Sequence, residues 1–415
     1  MTPERYAIAL VLFHALVLLA CLPVARAWSR SARCRLPIGP WLRTLFVDGA
    51  ALAVFAYAVS LVAPTALYVA DWRFRYVGEI SGRLMGQVLF GEAILLGVFL
   101  AWRHRQAGEN ARAVTLAAAA LALFAVYLEA YRIEPFQLEV RRHVVDGANG
   151  LATASTLRIL HMTDIQTSAI GAHEARALQT GLSFQPDLIV LTGDYVQDSL
   201  GRPTEVEAAR DLRALIARVG FQARLGVFAT EGDVGPPCRD VFAGTGVRCV
   251  VDETVLVRLP SGETLRITGL SRGRGRERSS QWLARLLAAG PRGDHQLVIS
   301  HAPDFVDALP WSVDLVLAGH THGGQFVLPF WGPLVTASRL PRRYAGGLED
   351  YRGTPLHVSR GVGMERGFAP PVRFLCPPEI CVLDVRLPRA TDSARVMIPP
   401  DERISPGRDR SPEGP

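Results

Sequence analysis

The sequence predicts two unlike parts: an α-helical membrane region over residues 1–133 and an α/β domain with a layered sheet core over 134–387, ahead of a disordered tail over 388–415. Three observations carry this reading. The first third of the chain is far more apolar than the rest. From about Glu134 the pattern changes to short runs of β-branched and apolar residues, each stopping at an Asp or a His. Between those runs lie helix-like segments, and strands alternating with helices indicate an α/β fold.

Within the first part, four apolar stretches stand out: Tyr6–Ala27, Leu45–Ala70, Leu84–Trp102 and Ala113–Tyr131. Each approaches or exceeds the roughly 20 residues that a helix needs to cross the hydrocarbon. The first has only Arg5 ahead of it and three further spans behind it, so it reads as a retained helix rather than a cleaved signal. The loop after it holds Arg26, Arg30, Arg33, Arg35 and Arg43, and the third loop holds Arg103, Arg105 and Arg112. These outweigh Arg73, Arg75 and Arg83 of the second loop, which places both termini and the second part outside the cytoplasm. Glu92, inside the third span, is a functional candidate because ionisable groups there are costly. A protonated Glu92 bonded to a neighbouring helix is the plainer reading. Asp48 and Glu129 sit near span ends, and nothing suggests a transport pathway.

The second part is read strand by strand. "FQLEVRRHVV" alternates like a strand, and "LRILHMTD", "PDLIVLTGD", "LGVFATEGD", "HQLVISH" and "VDLVLAGHTH" are short apolar runs with polar ends. Ala172–Leu182, Glu205–Val219 and Ser280–Ala289 are the intervening helices. In such folds ligands gather beyond the carboxyl ends of the strands, and that is where the polar residues fall.

Composition narrows the chemistry. All 45 basic residues are arginine, which excludes Schiff-base and P-loop lysine chemistry. The net charge of +6 is spread partly into membrane-flanking loops. That distribution suits phospholipid headgroups rather than a nucleic-acid groove, so membrane lipids are an expected partner and nucleic acid is not. "SRGRGRERSS", residues 271–280, reads as a solvated loop, with an anion-holding role as the alternative. Cys238, Cys249, Cys376 and Cys381 do not match zinc-ribbon spacing. In an extracytoplasmic domain they allow disulfides Cys238–Cys249 and Cys376–Cys381; buried free thiols are the alternative.

The strand-end residues form a set: Asp164, Asp194, Asp233, His301, His320 and His322. Three carboxylates and three imidazoles at one rim suit two divalent ions. A carboxylate between two such ions can bridge them, and the pair clamps a phosphoryl group and generates hydroxide at neutral pH. The adjacent glycines allow close backbone approach. A strand-end Asp alone would be a cap or turn residue.

From about Leu157 to Val385 the motifs "TDIQ", "LTGDYV", "EGDVG", "ISHAPD" and "GHTHGGQ" resemble those of the calcineurin-like metallophosphoesterases. The form "GHTHGGQ", with "SRGVG" near "PPEICVLDV", looks like the membrane-anchored bacterial branch, whose members act on phospho-compounds at the cell envelope, including lipid-linked ones. The resemblance implies a layered β-sandwich flanked by helices and a multi-pass protein of a bacterial inner or cell membrane. It also implies hydrolysis of a phosphoester or pyrophosphate bond by metal-activated hydroxide. Asp164 and His322 would serve one metal, Asp194 would bridge, and His301 and His320 would serve the other; Asp194 and His320 are the expected catalytic residues. Two positions depart from the pattern. Gln166 stands where the family has a histidine ligand, and in "EGDVG" Asp233 replaces the asparagine ligand and Val234 the catalytic histidine. The resulting ligand set is harder, which favours Mn²⁺, Mg²⁺ or Fe over Zn²⁺. Without the histidine at 234 the leaving group would need no proton, or His161, Glu231 or Asp240 would supply one. The alternative is a catalytically impaired protein that keeps the fold and binds a phospholipid or protein partner.

Overall fold

A computed structural model describes residues 93–146, 153–199, 203–271, 280–289, 293–366 and 370–388, with isolated positions 79, 86, 90, 91 and 273. The first two expected spans, Glu92, most of 271–280 and nearly all of the tail lie outside the described residues. The chain divides into two compact units, the first made of Met1–Ile133 with Ser199–Arg202 and Glu365–Val372 and the second of the remainder.

In the first unit α1 (Ala93–Gln106) and α2 (Asn110–Leu128) pack on each other. The approach is close because Gly97 faces Ala120; a Cβ at Gly97 would lie 3.0 Å from that of Ala120. Glu109, in the turn between the helices, is held by Arg112 at 2.7 Å and His104 at 2.6 Å. The outward faces carry Leu95, Val98, Phe99, Trp102, Val114 and Leu121, all exposed. With its continuation through Phe136, α2 is the one helix among the described residues that is long and apolar enough to cross a membrane. Four spans therefore exceed what the described residues support; the third expected span is described only from Ala93, apart from positions 86, 90 and 91.

The second unit is built from two six-stranded sheets. The first takes β1 (Glu139–Asp146), β2 (Thr153–Met162), β3 (Leu188–Leu191), β4 (Val227–Ala229), β5 (Val247–Cys249) and β14 (Glu379–Pro388) in the order β1-β14-β2-β3-β4-β5. The second takes β6 (Glu253–Arg258), β7 (Thr264–Gly269), β8 (His295–Ile299), β9 (Leu315–Ala318), β12 (Gly347–Tyr351) and β13 (Thr354–Val358) in the order β12-β13-β9-β8-β7-β6. A small hairpin joins β10 (Val327–Leu328) to β11 (Gly332–Pro333). The helices are α3 (Ala172–Ser183), α4 (Glu205–Val219), the short α5 (Cys238–Val241) and α6 (Ser280–Ala288).

Strand periodicity builds the layers. Ile159, Leu188 and Val190 of the first sheet face Leu297, Ile299, Leu315 and Leu317 of the second in one core. Their sequence neighbours Leu160, Met162, Ile189 and Leu191 point the other way, onto Ala177 and Leu178 of α3 and Leu212 and Leu215 of α4. Val298, Val316 and Ala318 form a third core with Leu283 and Leu287 of α6. Both faces of the central strands are covered, which is why they read as continuous apolar runs. α4 starts on a Thr204–Glu207 capping box and stops at Gly220, φ 63°.

Cys238, at the start of α5, is bonded to Cys249 at the end of β5. Cys376 and Cys381 are buried free thiols, so the second expected disulfide is absent. The two thiols are turned to different partners: Cys376 Sγ donates to His322 O at 3.2 Å, whereas Cys381 Sγ, on β14, lies 3.4 Å from Glu379 Oε1 and 3.8 Å from Ser359 Oγ. Closing the 11-residue separation of the Cys238–Cys249 bridge limits the unfolded chain, which is worth about 3 kcal/mol. Cys238→Ser with Cys249→Ser is expected to lower the thermal midpoint accordingly, and reduction of the parent should reproduce the shift; an unchanged midpoint would contradict it.

Candidate functional site

All six expected ligands follow strands, at the carboxyl ends of β2, β3, β4, β8 and β9. The backbone there is unusual. Asp164, Gln166, Asp194, His320 and His322 adopt φ of 48°, 42°, 51°, 72° and 50°. Non-glycine residues in this region cost on the order of 1 kcal/mol or more each, and such positions cluster at functional sites. Glycines make the convergence fit. A Cβ at Gly232 would collide with Asp194, and one at Gly319 with Thr163 and Asp164.

The structure brings the set together around His301. Its Nε2 lies 3.2 Å from Asp194 Oδ2, 3.3 Å from Asp233 Oδ1 and 4.0 Å from Asp164 Oδ1. His320 Nδ1 is 3.5 Å from Asp233 Oδ2 and 3.2 Å from His301 Nε2. His322 Nε2 is 3.2 Å from Asp164 Oδ1. Gln166 Nε2 donates to Asp194 Oδ2 at 3.4 Å. Two groups have the spacing of a cation site, Asp233/His301/His320 and Asp164/Asp194/His301.

Backbone carbonyls orient two of the rings. His301 Nδ1 meets Thr192 O at 2.8 Å and His320 Nε2 meets Ala337 O at 3.1 Å. As acceptors, these carbonyls place the proton on that nitrogen and turn the other toward the carboxylates. The carboxylates are held as firmly. Asp164 Oδ2 accepts from Thr163 Oγ1 at 2.7 Å and His320 N at 3.0 Å, and Asp194 Oδ1 accepts from Val234 N at 3.0 Å. Asp164 Oδ1, by contrast, is buried and accepts no well-aligned hydrogen bond among the described residues, the neutral His322 Nε2 lying 3.2 Å from it. An orphaned carboxylate oxygen among clustered acids and oriented imidazoles fits divalent cations, which would supply charge neutralisation at phosphorus and a water of lowered pKa.

Electrostatics agree with that fit. Burial, with the neighbouring Asp194 charge, pushes Asp164 up to about 6 despite the opposing pull of His301. Burial likewise raises Asp194. His301 is pulled down by burial, but Asp194 and Asp164 carry it well above the ordinary histidine range. Burial and the Arg373 charge hold His322 well below that range, as the neutral ring a cation needs. Protons and cations therefore compete for Asp164, Asp194 and His301. Cation loading of the full chain is expected to fall as pH drops through about 6, where Asp164 takes a proton, and to go on rising above pH 7, where His301 gives one up. Equilibrium dialysis against Mn²⁺ across this range checks it, and a flat profile would contradict it.

The three expected stand-ins for the missing histidine have different places. His161 is fully buried, with Nε2 2.8 Å from Thr192 Oγ1 and Nδ1 2.9 Å from His357 Nδ1, so it braces Thr192 from behind and offers no proton to a leaving group. Asp240 is exposed on α5, and Glu231 is half-buried. Sequence reasoning missed the strap beneath the ligands. Val362 N and Gly363 N donate to Thr163 O and Asp164 O at 3.1 and 2.6 Å, and Cys376 Sγ donates to His322 O at 3.2 Å. The fully buried Arg373 binds the strap through the carbonyls of Arg360, Gly361, Gly363 and Cys376. The "SRGVG" motif was its one visible trace.

Residues 157–324 match the family model described as calcineurin-like phosphoesterase. The chain is 28% identical over 277 residues to the uncharacterized metallophosphoesterase YkuE of Bacillus subtilis (strain 168), covering 65% of this chain and 93% of the relative. It is 25% identical over 268 residues to the phosphodiesterase YaeI of Escherichia coli (strain K12), covering 61% and 90%. Over 90 residues it is 37% identical to an uncharacterized metallophosphoesterase of Helicobacter pylori (strain J99 / ATCC 700824), covering 21% and 22%. Motif order, strand-end residues and relatives agree: over residues 157–324 the chain carries a calcineurin-like phosphoesterase domain, the domain of a phosphoester hydrolase.

Proposed function

We propose that the chain is a membrane-anchored phosphodiesterase or pyrophosphatase of a bacterial cell envelope, with its catalytic unit outside the cytoplasm and a lipid-linked phospho-compound as substrate. The observation that carries the reading is the pair of cation groups that share His301. Asp164, Gln166, Asp194 and His322 would hold one cation, and Asp233, His301 and His320 the other, with Asp194 between them. Mn²⁺, Mg²⁺ or Fe suits this oxygen-rich set. The chain's own residues then have defined tasks. Thr192 O and Ala337 O fix the His301 and His320 tautomers, the strap holds Asp164, and the Val234 N–H fixes Asp194. Val234 offers no side-chain proton, so the reading favours a leaving group that departs as an anion, such as the phosphate of a pyrophosphate bond.

The Cys238–Cys249 disulfide supports an oxidising compartment, and the apolar Asn110–Phe136 helix supports anchoring. The relative named a phosphodiesterase supports the bond type. Val234 and Gln166 favour the second reading, a binder of phospholipid or protein that has lost catalysis. Metal analysis of the full chain, with turnover of an activated aryl phosphodiester in added Mn²⁺, Mg²⁺, Fe²⁺ or Zn²⁺, separates the two. Two metals and turnover abolished by His320→Ala are expected; no turnover with any ion would leave the binding reading. Release of the chain from membranes by alkaline carbonate would sink the anchor separately.

A further inference from the structure

Directly after the His322 turn the surface changes character. Gly323, Gly324 and Gln325 lead into the β10–β11 hairpin, closed by Val327↔Pro333 and Leu328↔Gly332. Its tip presents Phe330, fully exposed at φ 65°, and Trp331, 67% exposed. Leu334 and Val335 follow and are also exposed. Four large apolar side chains within six residues form a patch of the kind that marks an interaction surface.

The hairpin and the segment after it carry charge of one sign, while Arg141 and Arg360 nearby are paired with Glu139 at 2.6 and 3.0 Å. From Gly323 to Leu348 the sequence holds Arg339, Arg342 and Arg343 and no Asp or Glu. At the root of the hairpin lies a cavity of about 320 Å³, walled in part by Val327, Pro333, Arg141, Arg342, Arg343 and Arg360. Its acidic wall residue, Glu379, is bound by Arg360 at 2.6 Å. Arg342 sits over the Trp331 ring at 6.0 Å. That placement occupies the ring face a nucleic-acid base would stack on. A second copy of the chain would set these arginines against their own counterparts. An aromatic and aliphatic tip beside arginines matches instead the boundary between acyl chains and anionic headgroups.

We propose that the β10–β11 hairpin docks on an anionic phospholipid surface. The Phe330–Trp331 tip enters the interface, and Arg342 and Arg343 receive headgroup phosphates above the cavity. This contact is separate from the apolar helix of the first unit, and it brings the His322 turn to the lipid surface whether or not that helix spans.

The test uses the full chain with Phe330→Cys carrying an environment-sensitive fluorophore, and the parent protein as labelling blank. Vesicles of phosphatidylcholine are compared with vesicles that also contain phosphatidylglycerol. The expected result with phosphatidylglycerol is a blue-shifted probe, quenched by spin-labelled lipid and shielded from aqueous iodide. A probe at Val206→Cys, 72% exposed on α4, is expected to stay open to iodide. Arg342→Gln and Arg343→Gln should each weaken insertion about fivefold. Phe330→Asp should keep turnover of a water-soluble aryl phosphodiester, which shows that the fold is intact. A probe at 330 equally open to iodide in vesicles and in detergent overturns the proposal. Equal burial in phosphatidylcholine alone overturns its anionic lipid. Shielding in detergent that grows with protein concentration assigns the patch to a second copy and overturns it as well.

Discussion

Asp194→Asn is expected to lower turnover by roughly 10²–10³-fold or more, the scale of losing one preorganised electrostatic group, and to reduce bound metal from two ions to one or none. The substitution keeps the shape and removes the charge. In the parent, Asp194 is buried in the Asp164/Asp194/His301 group, with Oδ2 3.2 Å from His301 Nε2 and Oδ1 accepting from Val234 N at 3.0 Å. An amide in its place puts either its neutral oxygen or its N–H toward His301. If the N–H faces Val234 instead, two donors meet. Neither orientation restores the charge that would join two cations. Metal analysis and steady-state kinetics of the full chain, at saturating Mn²⁺, check both halves of the expectation. Undiminished turnover with one ion bound would show that Asp194 does not bridge.

Arg373→Met is expected to destabilise the second unit by about 3–5 kcal/mol, the cost of breaking a buried charged network. The thermal midpoint should fall by roughly 6–20 °C. Arg373 has no exposed surface and donates to four backbone carbonyls, with Nε on Gly363 O at 3.0 Å, Nη1 on Cys376 O at 3.0 Å and Nη2 on Arg360 O at 2.8 Å. Removing the guanidinium strands those carbonyls in an interior without water. Arg373→Lys should recover only part of the loss, because a single ammonium cannot reproduce a planar fork. Cation affinity should fall with stability, since Gly363 N holds Asp164 O from the same strap. A midpoint within a degree or two of the parent would show that the strap holds without its arginine.

The converging strand-end residues were readable because each strand covered on both faces is short, apolar and ends abruptly at a polar residue. Leu188–Leu191 running into "TGD" is such a case, and so is Leu315–Ala318 running into "GHTH". α4 was readable to the residue, helped by Thr204 and Glu207 at its start and Gly220 at its end. The strands that complete the sheets were not. β6 with β7, and β12 with β13, alternate only partly, and periodicity says nothing of which strand lies beside which. Arg373 looked like one surface arginine among 45 basic residues, because burial of a charge depends on carbonyls that only the folded strap collects. The positive φ at Asp164, Asp194 and the two histidines left no mark either, since none of them is glycine. For Cys376 and Cys381 the sequence left a disulfide and buried free thiols both open, because closeness along the chain does not fix closeness in space.

β14 is the last strand among the described residues yet the second in its sheet, inserted between β1 and β2 with Glu139↔Glu379 and Cys381↔His161 in register. This fixes an order of assembly. A ribosome that has reached Val358 has already made every ligand, but neither the strap nor the strand on which Glu379 receives Arg360. The nascent unit therefore holds its donor atoms before it has the frame that aims them, and long-range closure of this kind comes late. Cation capture becomes a property of the finished chain. An ion taken up by such a site would then be chosen by the compartment in which folding ends, wherever translation began.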